Sequence, residues 1–188
     1  ADMEVRQLLD HARVYQLKGM TKAVLETLNK ARRLAEKSNQ DILAYLAMDE
    51  ERTTETQHIT GSSFQKAVKI QEEAAGAIEK LSVRDKLANL SLMLYGMYLR
   101  NGYVRSNDEY TEILRFFNDG MPDVDAAKLG FYERVYYYQS QVWFHHMTQN
   151  FAGYYRYSQK WVDCFHEEEH MIAADPLLYL KGLHNTLN

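Results

Sequence analysis

Lys18-Gly19-Met20-Thr21-Lys22-Ala23-Val24 decides the fold of this chain. A glycine interrupts one helical pattern, a threonine is placed to cap the next, and a second apolar stripe begins at once. Before the glycine, Val5, Leu8, Leu9, Ala12 and Leu17 recur at the i, i+3, i+4 spacing of one helix face. After it, Ala23, Val24, Leu28, Ala31, Leu34 and Ala35 do the same. Similar polar breaks surround Gly61, Gly102 and Gly153, so the four glycines are spaced by 42, 41 and 51 residues. Recurrence on that scale marks stacked helical hairpins.

The remaining segments read the same way. A helix is expected from Asp41 through Met48, fading into Glu50-Glu51-Arg52. Another runs from Phe64 to Leu81, and Ser82 is placed to cap a separate one with Leu87, Leu90, Leu92, Leu94, Tyr95, Tyr98 and Leu99 as its apolar set. Asn101-Gly102 closes it with a left-handed turn. A short helix over 107–118 leads to the loop Asp119-Gly120-Met121-Pro122-Asp123. Long helices over 124–147 and 151–171 follow, and Pro176 opens the last at its favoured first position. Nothing alternates with the period of a strand. The expected fold is all-α, a right-handed α-α superhelix of about four to five antiparallel hairpins forming one domain over residues 1–188.

Composition bounds the function. The hydrophobic fraction of 46% supplies a core, and a net charge of −4 argues against direct nucleic-acid binding by this domain. Basic stretches such as Lys30-Ala31-Arg32-Arg33 alternate with acids, as a solvated helix face does. The single cysteine, Cys164, excludes a disulfide within the chain and fits a reducing cytoplasm. Its apolar setting in Trp161-Val162-Asp163-Cys164-Phe165 reads as a buried thiol rather than a nucleophile. No apolar run reaches the roughly 18–20 residues of a membrane span, and no signal peptide precedes the first helix. The chain reads as a piece of a longer protein.

At the hairpins the chain resembles the tetratricopeptide-repeat superfamily in a degenerate, lengthened form. Met20-Thr21-Lys22-Ala23 and Phe64-Gln65-Lys66-Ala67 reproduce that family's large residue followed three positions on by a small one. Asn101-Gly102-Tyr103 and Gly153-Tyr154-Tyr155 occupy comparable turns without the small residue, and Pro122 and Pro176 echo its helix-ending proline. The resemblance implies a concave surface that binds a protein or peptide, in a domain that can serve a larger regulator.

Chemistry-bearing constellations are few. His166-Glu167-Glu168-Glu169-His170 matches the HExxH pattern, in which two histidines one helical turn apart hold zinc. A third ligand is wanting, Asp175 being the only near carboxylate. Glu55-Thr56-Gln57-His58 and Glu167-Glu168-Glu169-His170 can be read instead as the paired ExxH motifs of a di-iron bundle, with Glu72 and Glu133 as further ligands. A metal-binding helical bundle is therefore the alternative function. The leading expectation is a non-catalytic scaffold that needs no cofactor. His145 and His146 are adjacent, and their side chains diverge by about 100° on a helix.

The aromatic stretch from Phe131 to Phe165 is the candidate surface. Its rings serve core packing first, yet Arg134, Tyr137, Gln141 and His145 form a separate stripe that can offer stacking and hydrogen bonds to a peptide. Self-association through the same stretch, as a homodimer, is a second form of the expectation.

Overall fold

The computed structural model describes residues 2–57 and 63–187. Every regular element among them is helical: α1 (Asp2–Leu17), α2 (Thr21–Lys37), α3 (Asp41–Gln57), α4 (Phe64–Asn101), α5 (Asn107–Gly120), a 3₁₀ turn (Ala126–Lys128), α6 (Phe131–Met147), α7 (Phe151–Glu167), α8 (His170–Ala174) and α9 (Pro176–Leu187). The fold is all-α, as the periodicity requires. The chain divides into two compact units, Ala1–Ser82 and Val83–Asn188.

In the first unit, α1, α2 and α3 pack as consecutive neighbours around Val5, Leu9, Ala12, Val24, Leu28, Ala31, Ala35, Leu43, Ala44 and Ala47. Five of these ten are alanines, which let helix backbones approach closely. The first half of α4 is tied on by charge. Arg32 Nη1 donates to Glu73 at 2.6 Å and its Nε to Glu36 at 2.8 Å, Lys80 pairs with Asp41 at 2.6 Å, and Lys66 pairs with Glu55. Partly exposed pairs of this kind contribute at most about 1 kcal/mol each.

Two turns of this unit share one closure. Gly19 takes φ +68°, and the Met20 amide reaches back to the Tyr15 carbonyl at 3.0 Å. Asn39 takes φ +56°, and the Gln40 amide reaches the Ala35 carbonyl at 2.8 Å. Both are left-handed helix ends that satisfy carbonyls otherwise left open.

In the second unit α6 is central. Phe131, Val135 and Val142 bury against Trp161, Cys164 and Phe165 of α7 and against Met171 of α8. Another side of α6 places Phe144 and Met147 against Leu90 and Leu94 of α4 and Ile113 and Phe117 of α5. Phe117 and Phe144 stack with centroids 4.4 Å apart. Ser140 ties its helix down locally by donating to the Tyr136 carbonyl at 2.9 Å.

Several expected boundaries differ. No break occurs at Ser82, and α4 continues for 38 residues. Neither glycine nor proline stands there, and ending a helix would open unsatisfied amides and carbonyls that an unbroken ladder pairs. The helix expected to begin at Val124 begins at Phe131, because Asp125 caps a 3₁₀ turn instead and Gly130 precedes α6 in an extended conformation. The helix expected to reach Met171 ends at Glu167.

Gly153 is no turn residue. The left-handed position between α6 and α7 belongs to Gln149, at φ +56°, and the Asn150 amide closes it on the His145 carbonyl at 2.9 Å. Gly153 lies inside α7, where its amide donates to the Asn150 side chain at 3.0 Å. Gly102 keeps its expected role at φ +73°. Gly61 and His58 lie outside the described residues.

Candidate functional site: an aromatic face of the second unit

The stripe Arg134, Tyr137, Gln141 and His145 lies along α6, and both of its ends meet α7. Arg134 donates to Glu167 and, at 3.2 Å, to Glu168. Gln141 is 8% exposed. The His145 ring lies parallel to Tyr157 at 5.3 Å and sits where a side chain on Gly153 would be, its atoms 2.6 Å from an ideal Cβ there. Burial, with a smaller effect from Arg156, depresses the His145 pKa. These ends of the stripe are engaged in the α6–α7 seam.

The HExxH stretch does not form a two-histidine helix face. His166 stands near the end of α7 and contacts the Tyr179 hydroxyl at 3.2 Å, whereas His170 opens α8 after the helix has broken at Glu168. Glu167 is taken by Arg134, and Glu55 by Lys66. Glu133 is 1% exposed and Glu72 is exposed. Among the described residues, no three His, Cys, Asp or Glu side chains converge as a metal site. Cys164 is buried, and burial pushes its thiol up to about 11, so it is protonated and inert at neutral pH.

A continuous ring surface does form, from residues on several elements. Trp143 contacts Tyr95 at 4.7 Å and Tyr98 at 5.6 Å between centroids. Tyr98 meets His146 at 4.7 Å and Tyr103 at 5.5 Å. His146 meets Tyr103 and Tyr154, each at 5.2 Å. The hydrogen bond that the Tyr98 hydroxyl shares with Tyr103, and then burial, push the Tyr98 phenol up, and burial depresses the His146 pKa, so both side chains are neutral near pH 7. Such rings offer apolar area and polar edges at small entropic cost.

Two cations rest on this side. Arg84 lies 4.5 Å above the Tyr132 ring, and Lys181 lies 5.7 Å from Tyr95 and 5.9 Å from Trp143. Burial lowers the Lys181 pKa. Among the described residues no carboxylate forms an ion pair with Lys181. The first unit contrasts with this. Its open groove of about 450 Å³ is lined by Arg32, Glu51, Lys66 and Glu73, where Arg32 pairs with Glu73 and Lys66 with Glu55.

The stretch from Phe131 to Phe165 singled out in the sequence holds Trp143, His146 and Tyr154 of this ring surface but not Tyr95, Tyr98, Tyr103 or Lys181. In the sequence, Leu87 through Leu99 read as one apolar set. The structure divides that set: Leu87, Leu90 and Leu94 are buried, while Leu92 and Leu99 are 66% and 65% exposed and flank Tyr95. The signal was present, since 92, 95 and 99 recur at i, i+3, i+7 on a stripe distinct from 87, 90 and 94. Among the described residues, no helix is long and apolar enough to cross a membrane. No family model, curated protein or solved structure matches this chain.

Proposed function

We propose that this chain is a non-catalytic helical-repeat scaffold of tetratricopeptide-like kind that binds a protein or peptide partner. Its proposed place is the cytoplasm, as the interaction part of a larger regulator, with no direct nucleic-acid or membrane contact and no cofactor. The observation that carries the reading is the ring surface on which Tyr95 and Tyr103 stand exposed around the partly buried Trp143. Folding alone does not call for a cluster of large rings left partly in water, whereas aromatic clusters are the usual anchors of binding surfaces. Support for the repeat comes from the recurring turn at Gly19, Asn39 and Gln149, each left-handed and each closed by the same backbone bond. A right-handed superhelix is the arrangement we propose for those hairpins.

Affinity capture from the native source tests the reading. The intact protein should retain a defined partner, and a Tyr95→Ala/Trp143→Ala variant with an unchanged helical spectrum should lose it. Equal retention by both would remove the ring surface from the function. Stoichiometric zinc or iron in the purified protein would favour the metal-bundle alternative instead.

A further inference from the structure

We propose that the face built from Val83–Asn101 of α4 and the outer side of α9 docks an acidic amphipathic helix of a partner protein. The partner's apolar stripe would lie on Leu92, Tyr95, Leu99 and Leu180, and a partner carboxylate would meet Lys181 beside Trp143. The inference rests on the scaffold reading above and adds the chemistry of what binds.

Three observations converge on it. First, the face is apolar where water should be. Leu92, Leu99 and Leu180 are 66%, 65% and 57% exposed, and Leu177 and Leu187 continue the stripe along α9. Apolar residues at i, i+3, i+7 on a solvent face are a seam wanting a partner helix. Second, cations outnumber acids on the face. Arg84 and Asp85 share the side of Leu92, Tyr95 and Leu99, Lys86 lies on the opposite side with Leu90 and Phe116, and α9 adds Lys181 with no acid. Third, Lys181 lies against two rings without an ion pair. A cation held half out of water beside apolar surface is completed by a carboxylate arriving with apolar neighbours. A second copy of this chain would bring the same excess of cations to the first, so an acidic partner is favoured over self-association.

The probes are two synthetic helical peptides with the same leucine stripe, one flanked by glutamates and the other by lysines. Calorimetry should detect the glutamate peptide and a much weaker lysine peptide. Lys181→Gln should weaken the glutamate peptide about tenfold, and Leu99→Asp should abolish binding with the helical spectrum unchanged. Both substituted side chains are exposed, so the fold should survive. Equal binding of the two peptides, or indifference to Lys181→Gln, would overturn the acidic partner while leaving the scaffold reading intact. Binding of neither peptide would overturn the docking face, and partner capture by the intact protein would then decide the scaffold reading separately. A dimer in solution that Leu180→Asp dissociates would make a second copy the occupant and overturn the proposal.

Discussion

His145 shows how one side chain can define a seam. It is a titratable ring placed where α7 has no side chain at Gly153, stacked on Tyr157. Its pKa is depressed by burial and by Arg156. The unfolded chain therefore binds a proton that the folded chain resists, beginning near the ordinary histidine value of about 6.5. Stability from this site is full above that pH and falls as the pH drops through it. We expect urea midpoints to decline between about pH 7.5 and about pH 5.5, and His145→Gln to flatten that decline. His146, also depressed by burial, should keep a residual slope. An unchanged slope in the variant would place the pH dependence elsewhere. The contact makes a second demand. Gly153→Ala puts a methyl 2.6 Å from the ring, so overpacking of about 1–3 kcal/mol should outweigh the alanine's better helix propensity of about 1 kcal/mol. A thermal midpoint that rises on this substitution would show that the ring can move aside.

At the scale of elements, the long helix α4 carries the sharpest test. Its continuity across Ser82 means a proline there removes an interior hydrogen bond and clashes with the preceding turn. Ser82→Pro should lose about 3 kcal/mol in denaturant unfolding. A near-neutral result would restore the helix break expected from the sequence. The ends of α1, α2 and α5 were legible because their signals are local: Gly19 supplies the left-handed residue, and Ser106 accepts the Glu109 amide at 3.2 Å. Ser82 failed as a cap because a cap residue only acts where the chain has another reason to turn. Gln149 failed in the other direction. Nothing in its type announces a left-handed residue, and the tertiary meeting of α6 with α7 imposes it. The ring surface was half legible for a similar reason. Periodicity finds the apolar stripes of α4, but which stripe faces the core depends on neighbours far along the chain.

For the whole molecule, the two units use their charges differently. Cations of the first unit pair with carboxylates within it, as at Arg32–Glu73 and Lys80–Asp41. In the second, Arg134 pairs with Glu167 and Glu168, while Arg84, Lys160 and Lys181 lie over aromatic rings. Exposed ion pairs consume charge locally, whereas a cation on a ring remains open to an incoming carboxylate. On the proposed reading, this difference favours the second unit as the binding part. The most direct measurement is a hydrogen-exchange footprint of the intact protein with and without its captured partner. The account predicts slowed exchange in α9 and in the exposed stretch around Leu92–Leu99, with residues 2–57 unchanged. Protection confined to residues 2–57, or to the Arg134–His145 stripe with α9 unaffected, would contradict it.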